Sequence, residues 1–64
     1  MSLMQMTANT NAIKRAILAC QMAFGCLVEY TGDSVKIAAF GDDGDCIRDT
    51  LEDAGSEYIG NWAF

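Results

Sequence analysis

The run from Cys26 to Phe40 constrains the fold of this chain more than any other stretch. Cys26-Leu27-Val28-Glu29-Tyr30-Thr31 and Ser34-Val35-Lys36-Ile37-Ala38-Ala39 flank the dipeptide Gly32-Asp33. A two-residue loop that opens on Gly suits a type II′ turn, because Gly takes a positive φ at no steric cost. That turn fixes a register in which Val28 faces Ile37, Tyr30 faces Val35 and Cys26 faces Ala39 on one side. The other side holds Glu29 opposite Lys36 and Thr31 opposite Ser34. Side chains alternate along a strand, so a slip of one residue would scramble both sets. Turn chemistry, apolar alternation and a cross-strand charge pair agree on one hairpin.

With 64 residues, the chain reads as a single small α+β domain over 1–64, near the lower limit for folding on one core. Its 52% hydrophobic content is too high for a disordered acidic tail. A domain this small has a high surface-to-volume ratio, so part of its apolar material stays exposed. That points to self-association or a partner. A formal net charge of -5 disfavours direct contact with nucleic acid or an anionic membrane, which need basic footprints.

Cys20, Cys26 and Cys46 are the only cysteines, and the chain has no His. They form no C-x-x-C pair, and an odd number leaves one thiol over in any disulfide framework. Structural zinc takes four Cys or His ligands. The expectation is therefore small buried thiols in a reducing, cytoplasmic setting, with no metal and no cofactor.

Asn11 to Phe24 has helical spacing. Ile13, Ile17, Cys20 and Phe24 form a stripe that Ala12, Ala16, Ala19 and Ala23 broaden. Thr10 or Asn11 can cap its start, and Gly25 is placed to stop it. Leu18 and Met22 fall on the outer face, one turn apart, as a contact patch for a second copy. Lys14-Arg15 ahead of Ala16 to Val28 also has the outline of a signal-peptide core. That segment is too short to span a bilayer, however, and cleavage before Cys26 would discard the helix. Met4 to Asn9 shows no clear period, so residues 1–9 read as a flexible lead-in. Met1-Ser2-Leu3 reads as an artificial leader ahead of a natural start at Met4.

After the hairpin, Gly41-Asp42-Asp43-Gly44-Asp45 leads into a second helix capped by Asp42 or Asp43 and ended by Gly55. Its buried stripe reads as Cys46, Ile47, Thr50, Leu51 and Ala54. Asp45, Asp49, Glu52 and Asp53 face out, with Arg48 able to pair one turn away. From Ser56 the chain alternates, with Tyr58, Trp62 and Phe64 sharing a parity and Gly60 marking a bulge or close approach. The order helix, strand, strand, helix, strand implies three strands with two helices on one face. Placing the last strand beside Cys26–Thr31 gives a mainly antiparallel sheet in the order 2-1-3.

No stretch carries catalytic equipment. The Asp42, Asp43, Asp45 cluster lacks the ligand spacing and closing Glu of a calcium loop, and helix capping accounts for it. The thiols have no His to activate them. What remains is charge asymmetry. From Gly41 onward seven carboxylates meet one Arg, a net of -6, whereas the first forty residues carry three bases and two acids, a net of +1. Asp42, Asp43, Asp45, Asp49, Glu52 and Asp53 thus suit docking to a basic protein, including a nucleic-acid-binding one whose groove accepts phosphates. The alternative is a structural homo-oligomer, a dimer, joined through Leu18, Met22 and the aromatic last strand. In compact size, acidity and lack of catalytic groups the chain resembles small accessory and inhibitor proteins of phages and mobile elements.

Overall fold

The computed structural model describes residues 1–63. Its elements run β1 (Ser2–Thr7), α1 (Asn11–Phe24), β2 (Leu27–Thr31), β3 (Ser34–Ala39), α2 (Asp43–Asp53) and β4 (Tyr58–Asn61). All four strands join one antiparallel sheet in the order β2-β3-β1-β4. Two β-α-β halves are thereby interleaved, as in the split β-α-β arrangement of ferredoxin-like architectures.

The hairpin has the expected register. Val28 pairs with Ile37, Glu29 with Lys36, Tyr30 with Val35 and Thr31 with Ser34. Gly32 takes φ 57° and among the described residues no type other than Gly has a positive φ, so the φ of Asp33 is negative. This pattern fits a II′ turn and excludes I′, which needs both central residues positive. Val35 and Ile37 are fully buried, whereas Tyr30 stays 47% exposed. The helical layer therefore stops short of the outer rim of β2.

The amino-terminal segment departs from expectation. Residues 2–7 are not a flexible lead-in but a central strand, paired with β3 on one side and β4 on the other. Met4, Met6 and Ala8 are buried in the core, and Leu3, Gln5 and Thr7 alternate with them. Ser2 and Leu3, read from the sequence as part of a leader, pair with Ala39 and Ala38. The strand order 2-1-3 falls with this insertion, because β4 lies beside β1 and not beside Cys26–Thr31. A strand with two partners completes more ladder bonds than an edge strand, which is why the buried Met4 and Met6 sit at the centre.

One core joins both helices to one face of the sheet. It includes Met4 and Met6 from β1, Ile13 and Ile17 from α1, Ile37 from β3, and Ile47 and Leu51 from α2. Helix α1 starts at the Thr10 cap, whose side-chain oxygen accepts from the Ile13 N–H at 3.2 Å. It ends at Gly25 in the left-handed region. Of its alanines only Ala16 packs on the core, while Ala12, Ala19 and Ala23 are exposed. Helix α2 ends in a Schellman motif. The Ser56 N–H reaches Leu51 O at 2.9 Å and the Gly55 N–H reaches Glu52 O at 3.0 Å. Buried Ser56 then donates from Oγ to Thr7 O at 2.6 Å, and the Glu57 N–H donates to Thr7 Oγ1 at 2.8 Å. This polar knot ties the end of α2 to β1. Gly44 settles its other end: a Cβ there would come within 2.7 Å of Ser2 Cβ.

The last strand carries the bulge foreseen near Gly60, and it separates the aromatics. Gln5 pairs with Gly60 but Met6 pairs with Tyr58, so Ile59 is the extra residue. Tyr58 consequently packs against the core, beneath Arg48 of α2. Trp62 lies on the open face with Lys36 over its ring, 5.8 Å from the centroid. Phe64 lies outside the described residues.

Candidate functional site

Helix α2 begins where the sequence places it, with Asp42 at the N-cap position, but the Asp42 side chain makes no capping bond. Ile47 and Leu51 turn inward with Gly44, which at 100° per residue directs Asp45, Asp49, Glu52 and Asp53 outward. All four are exposed, as is Asp42. Asp45 and Asp49 stand one helical turn apart, and Asp45 and Glu52 are separated by about 10 Å of helix axis. Asp43 is the exception among the expected docking carboxylates. It is half-buried, and its charge helps to raise the pKa of the buried Cys26 thiol.

Arg48 is the one cation on this helix. Its Nε lies 3.6 Å from Glu52, and its guanidinium stacks 3.9 Å from the centroid of Tyr58. The stack holds Arg48 toward β4, where it borders the same hollow as Asp45 and lies within ion-pair distance of neither Asp45, Asp49 nor Asp53. Among the described residues the Arg48–Glu52 contact is the only ion pair. Both members are 43% exposed, so the pair adds little stability.

The stripe predicted for α2 is only partly correct. Cys46 and Thr50 are exposed, and Thr50 Oγ1 donates back to Cys46 O at 2.8 Å. Both lie on the flank of α2 that faces α1, beyond the narrow inward stripe of a short helix. Cys20 and Cys26 are buried as expected. Desolvation is the main cause that lifts both thiols above their ordinary value of 9.0. Such thiols are poor nucleophiles at neutral pH. Among the described residues no group of three or more Cys, Asp or Glu is arranged to hold a metal ion.

Leu18 and Met22 are exposed on α1, at 56% and 81%. Sequence reasoning did not find their companion: Tyr30, 47% exposed on the helix-facing side of the adjoining strand β2. Tyr30 was read as an ordinary inward hairpin position, although the missing cover could be inferred once only one helix was available for β2.

The open face of the sheet holds a groove of about 310 Å³ bordered by Leu27, Lys36, Ala38 and Trp62. Leu3, Gln5 and Thr7 of β1 and Ser34, Lys36 and Ala38 of β3 occupy the middle of this face. Four-stranded sheets that bind RNA stack bases on aromatic side chains of the central strands. Here those strands offer none, and the net charge is -5. Among the described residues no helix is long and apolar enough to cross a membrane. No family model, no curated protein and no solved structure matches the chain.

Proposed function

We propose that this protein is a non-catalytic interaction module that presents α2 to a basic protein partner, as a regulator or inhibitor. The observation that carries this reading is the row of exposed carboxylates at Asp42, Asp45, Asp49, Glu52 and Asp53 on a helix whose single cation stacks on Tyr58 and, among the described residues, pairs with Glu52 alone. Rigid packing supports it. Ile47 and Leu51 are fully buried, and the Schellman motif and the Ser56–Thr7 bond fix the far end of the helix. A pre-ordered charged face loses little conformational entropy when it docks. Its attraction accelerates encounter and weakens with salt. A groove that normally receives phosphates is one basic surface that such a row of carboxylates fits.

The test compares the parent with a variant carrying Asp42→Asn, Asp45→Asn, Asp49→Asn, Glu52→Gln and Asp53→Asn in affinity capture from native lysate. Basic proteins held only by the parent and released by moderate salt are the expected outcome. Capture of the same proteins by both forms would sink the reading.

A further inference from the structure

We propose that the exposed edge of β2, with the adjoining flank of α1, is the pairing surface for a second copy of this chain. This inference does not depend on the acidic-face reading. The direction of the sheet's backbone groups is the first support. The Thr7 N–H bonds Glu57 O and the Trp62 N–H bonds Leu3 O, so odd-numbered residues of β1 serve β4. Even-numbered residues of β1 therefore serve Val35 and Ile37 of β3, as the Ala8 N–H bond to Asp33 O, one step past the strand end, also indicates. Ser34, Lys36 and Ala38 are left to bond Thr31, Glu29 and Leu27. Val28 and Tyr30 accordingly turn both backbone groups away from the sheet, along an edge that no other strand covers.

The two edges are guarded differently. β4 is short and is kinked by the Ile59 bulge, features that discourage added strands. β2 has no bulge and no proline, and Glu29 is its one charge.

A two-fold axis through Val28 pairs the backbone of Val28 with its own copy and that of Tyr30 with Cys26 of the second copy. Every outward backbone pair then finds a partner, and Glu29 stands opposite Leu27. Centring the axis on Glu29 would instead place like charges directly opposite each other, which is destabilising.

Charge selects the occupant. Lys14 and Arg15 on α1 and Lys36 on the hairpin meet Glu29 and Asp33, a net of +1, whereas the segment from Gly41 carries -6. Two copies can meet here without opposing their acidic helices. The apolar supply is here too. Lys14 borders the same surface hollow as Tyr30 and Gly32, which places the 14-18-22 ridge of α1 on the β2 side. Leu18 and Met22 thus join Tyr30 in one exposed region. A strand pair alone is small against the roughly 800 Å² per partner of a stable interface, so the helix flank is a required part of it.

The test uses the full chain with Cys46→Ser, to remove the exposed thiol, and adds Val28→Cys or Glu29→Cys. Directly opposed residues in an antiparallel pair lie about 5.5 Å apart at Cα, within disulfide reach. Mild oxidation is expected to cross-link the Val28→Cys form and leave the Glu29→Cys form unlinked, because two Glu29 positions would be about 8 Å apart. Sedimentation velocity of the parent is expected to show a particle of twice 6.9 kDa that Leu18→Glu converts to monomer. Tyr30→Pro removes an outward N–H together with the exposed ring and should do the same while circular dichroism stays unchanged. A parent that remains monomeric at about 100 µM, where even a weak interface populates dimer, overturns the proposal. So does cross-linking at Glu29→Cys without cross-linking at Val28→Cys.

Discussion

Replacing Met6 with Ala tests the central position of β1 directly. Met6 is fully buried in the core and pairs with Val35 on one side and Tyr58 on the other. The substitution removes three heavy atoms, each contributing about 0.8 kcal/mol on burial, or roughly 2.4 kcal/mol of transfer energy. The cavity left behind adds about 1 kcal/mol if the neighbours relax only partly. The expected loss is therefore about 3 kcal/mol. A domain of 64 residues has roughly 3 to 10 kcal/mol in total at the usual stability per residue. Urea unfolding followed by circular dichroism should show the midpoint fall by a third or more with an unchanged slope. Met1→Ala, at a side chain 65% exposed, serves as the control and should stay within about 0.5 kcal/mol. A loss below about 1 kcal/mol at Met6 would mean that the segment is loosely docked, and the four-stranded account would be wrong.

Two further outcomes follow from the packing. Gly44→Ala should destabilise by about 1 to 2 kcal/mol despite its better helix propensity, because the new Cβ meets Ser2 Cβ at 2.7 Å; combining it with Ser2→Gly should recover most of the loss, and additive behaviour in the double-mutant cycle would refute the contact. Thiol labelling of the native protein should proceed quickly at exposed Cys46 and slowly at buried Cys20 and Cys26. Because burial raises the Cys20 and Cys26 pKa values in the folded state, the unfolded chain loses these protons first. Their contribution to stability is complete below about pH 9 and is lost as pH rises through the folded values. A Cys20→Ala, Cys26→Ala double variant should lose less melting temperature between pH 8 and about pH 10.5 than the parent, and an equal loss would count against the linkage.

What was legible in the sequence was local. The hairpin and α1 are specified by contacts a few residues apart: a Gly at the turn, a threonine cap, a glycine stop and an apolar stripe. β1 is not. Its partners lie about thirty and fifty-five residues away, at Ser34–Ala39 and Tyr58–Asn61, and its buried side chains are methionines, which carry no strand signature. The alternation of Met4, Met6 and Ala8 was present but short, and the polar residues between them mimicked a frayed end. The parity of Tyr58 and Trp62 failed for a related reason. A bulge is one extra residue that only pairing with β1 reveals. The acidic row was legible in α2 because helical spacing alone exposes it, whereas the half-buried Asp43 depended on where the helix landed.

Inserting β1 also changes what the charge asymmetry means. With three strands in the order 2-1-3, the acidic helix and the hairpin's outer edge would have shared a narrow sheet. In the observed order, α2 stacks toward β4 through Arg48 and Tyr58, while α1 borders Tyr30 at the opposite rim. The two edge strands stand three strand spacings apart, about 14 Å, more than one Debye length at physiological salt. A sequence whose second part carries -6 thus becomes a body with an acidic rim and a more apolar one of little net charge. The two proposals use different rims and do not compete. Pairing at β2 would leave both acidic helices outermost and on the same face of a continuous sheet, able to engage two basic sites at once. Avidity would then make capture of a basic target steeper in protein concentration for the parent than for Leu18→Glu. Equal steepness, with the dimer independently present, would mean that the two surfaces act separately.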